Sequence, residues 1–408
     1  MLQGMGGAAL AAGLPAALWA RRRDHAAVKA LIERYVAEGK VAGAVVGYVT
    51  PGAFRPVYLT AGKTAFDGEA VTPDTIHRVY SMTKPVTGMA VMQQVALGRL
   101  TLDTPVSDIL PAYKDMQVAV DPAKSLESVP AKAPILVRHL LTHTAGLTYH
   151  IMGNGPLQQA YRRAGLMPGV GRLGAQPGDG AQPNLTGFVE ALAKLPLRSE
   201  PGKEWHYSVA LDLAGGVLEK VTGKTLDAVF AEQLLGPCGM PDTGFRLSAA
   251  QGRRLSTNYY RIGEKLVPID SAAKSEWTSE PLILAGGAGL ASSTRDYARF
   301  GQMLLNEGEI DGRRVMPRET ARLAMSNLMP AGVFFEKSQG FGAGGRVTLP
   351  GNPEGDPAGS YGWGGAAGTI FAVDRARGFA VVLMVQYMPS EQYPLNKEFR
   401  EAVKADWV

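Results

Sequence analysis

The pattern of apolar and polar residues over the first sixty positions predicts one helix followed by two strands. Residues 24–38 place their apolar side chains on one helical face, and Gly39 ends that pattern. The apolar, β-branched run 41–50 and the shorter run 57–60 are typical of strands, with a Pro-Gly turn at 51–52 between them. The chain is therefore expected to begin as helix, strand, strand.

The C-terminal part of the chain shows the same elements in the reverse order. Residues 368–373 and 379–385 are apolar runs of strand length, a turn at 374–378 separates them, and a last helix is predicted from about Asn396. Strands joined by hairpins are antiparallel, so strands from both ends of the chain can share one sheet. We predict an α+β fold with an antiparallel sheet closed by the two termini and flanked by helices.

The middle of the chain is predicted to be mainly helical. A glycine-rich turn is expected at 286–290, and residues 153–184, rich in glycine and proline, are predicted to form a long irregular excursion that borders a site. Helical patterns cover residues 136–143, 184–193, 209–221 and 293–305.

This order of elements suggests two domains. Residues 25–82 and 236–408 would form an α/β sheet domain, and residues 83–235 a mainly helical domain, with the functional site between them. Residues 1–23 would be an N-terminal tail or a truncated export-signal segment.

Composition and charge remove several classes of function. Of 408 residues, 46% are hydrophobic and 19% charged, which is ordinary for a globular protein, and the net charge of +5 comes from scattered basic residues. We therefore expect no nucleic-acid partner. Cys238 is the only cysteine, and the six histidines show no ligand spacing, so we expect no disulfide, no metal and no cofactor.

Residues 1–20 form an apolar run of small side chains. The run is too short and too rich in glycine for a membrane-spanning helix, so no stable membrane insertion is expected. It resembles the apolar region and cleavage zone of a twin-arginine export signal that lacks its basic start. An exported, periplasmic protein and a cytoplasmic protein with an N-terminal tail both stay open.

The first candidate for chemistry is the pair Ser81 and Lys84. A serine at a helix start normally caps the helix, but Lys84 lies three residues on, on the same face, at the mouth of a segment that is otherwise apolar. Burial disfavours the charged ammonium, so such a lysine can accept the proton of a serine nucleophile. The same spacing recurs at Ser271 and Lys274 in a polar, loop-like run, where a capping serine and a surface lysine are expected instead.

Two further stretches can contribute to a site. Tyr207 lies at a predicted junction between a loop and a helix, where a phenol near a lysine can carry a proton, although a half-buried structural tyrosine has the same pattern. Trp363, Gly364 and Gly365 precede a C-terminal strand. Glycines there allow a ligand to approach the backbone, or form a bulge or turn with no further role.

Taken in order, Ser81-x-x-Lys84, Tyr207-Ser208 and Trp363-Gly364-Gly365 resemble the serine β-lactamase and penicillin-binding-protein superfamily, over almost the whole chain. Within it the chain is most similar to the class C β-lactamase-like esterases, the family VIII carboxylesterases. The resemblance implies a β-lactamase/transpeptidase-like fold. The stretches 140–147, 201–203 and 287–290 are also similar.

The resemblance also implies roles for individual residues. Ser81 would be the acylated nucleophile and Lys84 its base, while Tyr207 would share the proton relay and help to activate the deacylating water. The backbone N–H groups of Ser81 and Ala366 would form the oxyanion hole.

Two departures from the class C pattern favour esters as substrates. Val209 stands where those β-lactamases have an asparagine, and Trp363-Gly364-Gly365 replaces a Lys-Thr-Gly motif whose cation would meet a β-lactam carboxylate. A small neutral ester with a short to medium acyl chain is therefore the expected substrate. A β-lactamase, a D-Ala-D-Ala peptidase-like amide hydrolase and an acyltransferase on the same fold are the alternatives.

A non-catalytic binding protein and an α/β-hydrolase are less favoured. The first is disfavoured because Ser81, Lys84 and Tyr207 are all present, and the second because no serine lies in Gly-x-Ser-x-Gly. Besides Trp363, Gly364 and Gly365, the aromatic residues near turns are candidates for the substrate pocket, although core packing explains them equally well: Tyr149, Trp277 and Phe341. Acyl-chain length and oligomeric state stay open.

Overall fold

Strands from both ends of the chain form one seven-stranded antiparallel sheet in the computed structural model, which describes residues 24–169, 177–353 and 355–407. The strands are β1 (Gly43–Val49), β2 (Val57–Gly62), β3 (Ile76–Arg78), β4 (Gln117–Ala119), β5 (Ser128–Pro130), β6 (Asn258–Ile262), β7 (Lys265–Asp270), β8 (Ala291–Ser293), β9 (Glu309–Ile310), β10 (Arg313–Arg314), β11 (Gln339–Phe341), β12 (Arg346–Thr348), β13 (Tyr361–Gly364), β14 (Ile370–Asp374), β15 (Phe379–Met384) and β16 (Tyr387–Met388).

The order of strands in this sheet is β11-β12-β13-β14-β15-β1-β2. The N-terminal strand β1 pairs with the C-terminal strand β15, with Val46 opposite Leu383, so the prediction of a sheet closed by both ends of the chain is confirmed. Small two- and three-stranded sheets accompany it, among them the pair β3 and β8, which leads into the candidate site.

The predicted helices are found close to their expected limits. Asn184 caps one of them by accepting the Gly187 N–H at 2.9 Å, and Gly223 ends the next with φ of 69°, a conformation that glycine adopts without a steric cost. The helices are α1 (Ala26–Ala37), α2 (Thr83–Ala96), α3 (Val106–Ile109), α4 (Val137–Leu141), α5 (Pro156–Arg163), α6 (Leu185–Leu192), α7 (Ala210–Thr222), α8 (Leu226–Phe230), α9 (Gly236–Cys238), α10 (Ala249–Gly252), α11 (Thr294–Leu305), α12 (Arg318–Ala324) and α13 (Leu395–Trp407).

Helices cover both faces of the central sheet. The terminal helices α1 and α13 pack together on one face, where their apolar side chains meet Val381 and Leu383 of β15. Helix α11 lies on the other face, where Val382 and Met384 belong to the main hydrophobic core. Because successive strand residues point to opposite faces, β15 is buried along its whole length.

The predicted irregular excursion at 153–184 is partly wrong. Residues Pro156–Arg163 form α5, which begins with a proline in its first turn after Gly155, an arrangement that favours a helix start. Residues 170–176 of this stretch lie outside the described residues.

The domain boundaries at 82/83 and 235/236 stay a prediction, and the proposed export segment within residues 1–23 also lies outside the described part of the chain. No helix in the described ranges is both long and apolar enough to cross a membrane.

Candidate active site

The segment before α2 places Ser81 on a rigid support. Ser81 is the middle residue of a short 3₁₀ turn, Tyr80–Met82, between β3 and α2. Arg78, at the end of β3, is completely buried and donates to the Asp270 carboxylate at 2.5 Å. Tyr80 has φ of 41°, a left-handed conformation that costs a non-glycine residue energy and therefore needs such support.

Helix α2 is buried from Thr83 to Gln94, and the segment 286–290 holds its start. The Thr83 hydroxyl accepts the Leu290 N–H at 3.0 Å, and the Thr87 hydroxyl donates to the Gly286 carbonyl at 2.5 Å. Lys84 is the charged residue in this helix. Its position in the first turn is therefore fixed by the buried residues of α2 and by segment 286–290.

Ser81, Lys84 and Tyr207 form one hydrogen-bonded group. The Ser81 Oγ lies 2.6 Å from the Tyr207 hydroxyl and 3.0 Å from the Lys84 Nζ, and it does not cap the helix. Lys84 has no exposed surface, and its Nζ also donates to the Gly287 carbonyl at 2.7 Å. Both groups that can accept the serine proton are thus already within hydrogen-bonding distance of it.

Aromatic rings hold Tyr207 in place. Its ring stacks on Tyr149 with 5.5 Å between the centroids and an angle of 11°, and the Lys84 Nζ lies 4.7 Å from its centre. His143 and Trp363 contact the same ring at 4.9 and 5.8 Å. The loop before α7 therefore presents the phenol in one orientation, as the predicted loop-to-helix junction requires.

The sequence analysis did not identify Asp212 as a site residue, although it lies five residues after Tyr207. Its side chain is completely buried on the first turn of α7, and its Oδ1 accepts the Gly287 N–H at 2.8 Å. Burial raises the pKa of the Asp212 carboxyl from 3.8 to about 6, against the opposing effect of Lys84. A buried aspartate in the first turn of an apolar helix was the available signal.

His143 was also missed, although it lies in the 140–147 stretch. Its ring is buried, its Nδ1 lies 3.0 Å from the Ser208 hydroxyl, and burial lowers its pKa well below 6.5. The imidazole is therefore neutral and supports Tyr207 from behind.

The predicted oxyanion-hole residues lie in two segments that touch. A Cβ at Gly365 would collide with the Val79 carbonyl oxygen and the Thr369 hydroxyl, so glycine lets the end of β13 approach the turn that carries Ser81. The Gly365 N–H donates to the Thr369 carbonyl at 2.8 Å, and Ala366 follows Gly365 in the chain. The use of the Ser81 and Ala366 N–H groups as an oxyanion hole stays a prediction.

The candidate pocket residues differ in how deeply they are buried. Trp363 is half-buried and contacts Tyr207, whereas Phe341 has no exposed surface and packs behind Trp363 at 5.1 Å. Phe341 therefore supports Trp363 from the core, as the alternative of core packing implies, and a contact of Phe341 with substrate stays a prediction. Tyr149 is almost completely buried and supports Tyr207 through its stacked ring.

Trp277 is half-buried, and its Nε1 donates to the Gly289 carbonyl at 3.0 Å. Its ring lines a cavity of about 90 Å³ together with Phe245 and Ala288, next to the residue whose carbonyl binds Lys84. A larger cavity of about 590 Å³ lies between α6, α8 and residues 280–284, and the lining of neither cavity includes Ser81, Lys84 or Tyr207.

The second Ser-x-x-Lys sequence has no such surroundings. Ser271 precedes the short turn Ala272–Lys274, and the Lys274 side chain is exposed. In the described ranges, no group of three or more histidine, cysteine, aspartate or glutamate residues could hold a metal ion.

In this site a serine lies within hydrogen-bonding distance of a lysine and a tyrosine, at the start of a buried helix beside an antiparallel sheet. This is the arrangement of a penicillin-binding-protein-like serine hydrolase. The sequence profile of the Beta-lactamase family matches residues 28–405, and the chain belongs to this family. The resemblance found in the motifs and the predicted fold are thereby confirmed.

Individual relatives include esterases. Esterase EstB of Burkholderia gladioli is 31% identical in an alignment of 417 positions, which covers 96% of this chain and 97% of EstB. The solved structure of "EstCE1, a hydrolase with promiscuous acyltransferase activity" is similar with a TM-score of 0.73 and 25% identity, covering 93% of this chain and 97% of that one.

The unliganded simvastatin synthase LovD from Aspergillus terreus has the same fold. Its TM-score is 0.75 at 21% identity, and the match covers 93% of this chain and 97% of LovD. The chain therefore has a serine hydrolase fold whose relatives include esterases and acyltransferases.

Proposed function

We propose that this protein is a carboxylesterase of the family VIII type, which cleaves neutral esters through an acyl-enzyme on Ser81. The observation that carries the proposal is the Ser81 hydroxyl held between the Lys84 Nζ at 3.0 Å and the Tyr207 hydroxyl at 2.6 Å. An activated serine nucleophile needs a base within this distance.

In the first half-reaction, the Ser81 Oγ attacks the ester carbonyl while its proton passes to the Lys84 amine. Tyr207 shares this proton and passes it to the leaving alcohol, so that an acyl-serine and a free alcohol result. The Ser81 and Ala366 N–H groups would stabilise the negative charge on the carbonyl oxygen. In the second half-reaction, water attacks the acyl-serine while its proton passes through Tyr207 to the Lys84 amine. The same relay then returns this proton to the Ser81 Oγ as the acid leaves.

The surroundings of the serine support a neutral ester over a β-lactam. Val209 has no exposed surface and offers no amide to an acyl-amide side chain. In the resemblance to class C β-lactamases, Trp363 takes the place of a carboxylate-binding lysine.

Acyl transfer to an alcohol is the second candidate, because it shares the first half-reaction. EstCE1, a hydrolase with promiscuous acyltransferase activity, has this fold and is 25% identical to this chain. An alcohol would then replace water in the second half-reaction and form a new ester.

The proposal is tested by comparing turnover of p-nitrophenyl butyrate and nitrocefin by the wild type, Ser81→Ala and Ser271→Ala. We expect fast ester cleavage with little nitrocefin cleavage, a loss of several orders of magnitude in Ser81→Ala, and near wild-type rates in Ser271→Ala. Equal losses in both variants would rule out Ser81 as the nucleophile.

The same assay separates the alternatives. Efficient nitrocefin turnover that depends on Ser81 would make the protein a β-lactamase. Ester product formed from an added alcohol faster than acid would favour the acyltransferase. Turnover of neither substrate, with or without alcohol, would contradict the esterase proposal.

A further inference from the structure

The carboxyl group of Asp212 has an arrangement that the reaction described above does not explain. It is completely buried, and one oxygen accepts the Gly287 N–H at 2.8 Å. The other oxygen, Oδ2, has no hydrogen-bond partner among the described residues. Burying a carboxylate whose oxygens are not all hydrogen-bonded costs free energy. Such a carboxylate is usually compensated by a positive charge on a neighbouring group.

The neighbouring group is Lys84, and Gly287 connects it to Asp212 by two hydrogen bonds. The Gly287 N–H binds Asp212, while its carbonyl oxygen, 2.7 Å from the Lys84 Nζ, accepts the lysine hydrogen bond. A Cβ at this residue would lie 2.5 Å from the Asp212 Oδ2, so glycine allows the carboxyl to pack against the segment that orients the lysine. Helices α2 and α7, which carry the two side chains, also pack against each other.

The chemistry creates a charge at this place. When Lys84 accepts the Ser81 proton, an ammonium forms in a site with no exposed surface. Such a charge is stabilised by an opposite charge inside the same low-dielectric region. In the described part of the chain, the titratable groups that interact electrostatically with Asp212 are Lys84 and Tyr149, and Tyr149 is a phenol whose pKa burial raises well above 10.

We propose that Asp212 is a positioning residue for the reaction: it holds Gly287 so that its carbonyl orients Lys84, and its carboxylate balances the ammonium that Lys84 becomes. The proposal rests on the proposed function, because it assumes that Lys84 accepts the serine proton. Asp212 itself touches neither the substrate nor Ser81 in this scheme.

The pH dependence of turnover follows from the charge of the Asp212 carboxyl group. With a pKa of about 6, the carboxyl is an anion above pH 6 and balances the ammonium there. Below pH 6 it is protonated and neutral, so the proton transfer to Lys84 loses its counter-charge and slows. The wild-type kcat/KM should therefore decline on the acid side with a midpoint near pH 6.

The test compares Asp212→Asn with Asp296→Asn. Asparagine keeps the shape and can still accept the Gly287 N–H, but it carries no charge. Asp296 is the matched control, because it is 1% exposed, its pKa is raised by burial to about 7, and it accepts the Asp242 N–H at 2.6 Å in a region without Ser81 or Lys84. The readouts are kcat and KM for p-nitrophenyl butyrate between pH 5 and 9.

For Asp212→Asn we expect kcat at pH 8 to fall by about 10- to 100-fold, KM to change by less than about threefold, and the acid limb near pH 6 to disappear. Asp296→Asn should keep the wild-type kcat and the acid limb. Wild-type kcat and an unchanged acid limb in Asp212→Asn, or the same losses in Asp296→Asn, would overturn the proposal.

Two measurements keep the outcome clear. If Asp212→Asn does not fold, as judged by circular dichroism and gel filtration, the wild-type profile decides, since a kcat/KM with no acid limb between pH 5 and 7 contradicts the proposal. Failure of the esterase function itself would appear differently, as wild-type turnover that survives Ser81→Ala.

Discussion

At the scale of single residues, the candidate site contains a phenol that is both oriented and close to the Ser81 hydroxyl. The Tyr207 ring is fixed by stacking on Tyr149, while its hydroxyl is the part that contacts Ser81. The ring and the hydroxyl can therefore be separated experimentally, because phenylalanine keeps the stacking and removes the hydrogen bond and the proton.

We expect Tyr207→Phe to lower kcat for p-nitrophenyl butyrate by about 10²- to 10⁴-fold, the range for loss of a general acid or base, with a smaller change in KM. The control is Tyr113→Phe, which removes a buried hydroxyl bonded to the Val189 carbonyl at 2.8 Å in the core. Full activity of Tyr207→Phe would remove the phenol from the relay, and an equal loss in Tyr113→Phe would assign the effect to general destabilisation.

At the scale of elements, the site is where the end of β13 meets the turn before α2. The chain needs glycine at 365 because any Cβ there would collide with the Val79 carbonyl. This contact sets the distance between Ala366 and the turn of Ser81. A small separation of the two elements would therefore affect chemistry more than stability.

Gly365→Ala should reduce kcat by roughly 10²-fold, since a displacement of about 1 Å in a catalytic group has an effect of this size. Gly244→Ala is the control, because a Cβ there meets nothing nearer than 3.5 Å. Steady-state kinetics and thermal melting of both variants provide the test. A fully active Gly365→Ala would show that the close approach of β13 does not position the site.

At the scale of the whole molecule, buried histidines make the fold sensitive to acid. Burial lowers the pKa of His77 to about 3 and those of His139 and His150 to about 4, and it lowers that of His143 well below 6.5. These groups bind protons in the unfolded chain below pH 6.5 but not in the folded protein. Each one therefore contributes stability that is lost as the pH falls below 6.5.

Two buried aspartates act in the opposite direction. Burial raises the pKa of Asp212 to about 6 and that of Asp296 to about 7, so the folded protein binds these protons first and gains stability as the pH falls from 7 toward 4. Four histidines outnumber two carboxyl groups, so the net free energy of unfolding should decrease from pH 7 to pH 5.

His77→Asn tests one member of this set. A histidine that stays neutral at pH 5 while its unfolded form binds a proton at 6.5 contributes about 2 kcal/mol to the difference in stability between pH 7 and pH 5. Urea unfolding at both pH values should show that difference reduced by about this amount in His77→Asn. Thr75→Ser, a change at a buried non-titrating neighbour, should leave it unchanged; an unchanged difference in His77→Asn would contradict the argument.

The sequence by itself determined the elements and singled out Ser81 as the candidate nucleophile. Apolar periodicity gave the terminal strands and the helices close to their observed limits, because burial on one face leaves a repeating pattern in the chain. It also separated Ser81 from Ser271, since a buried lysine and an exposed one have different neighbours in sequence. The helix α5 was missed because glycine and proline outweighed its short amphipathic pattern.

Only the tertiary structure decided which side chains meet. Asp212 and Gly287 are far apart in sequence, and no local pattern shows that one binds the other or that both lie behind Lys84. Likewise Phe341 and Trp363 are aromatic residues near turns, but one is completely buried and the other half-exposed. Local patterns record burial and turns, whereas the pairing of distant groups depends on how the helices and the sheet pack.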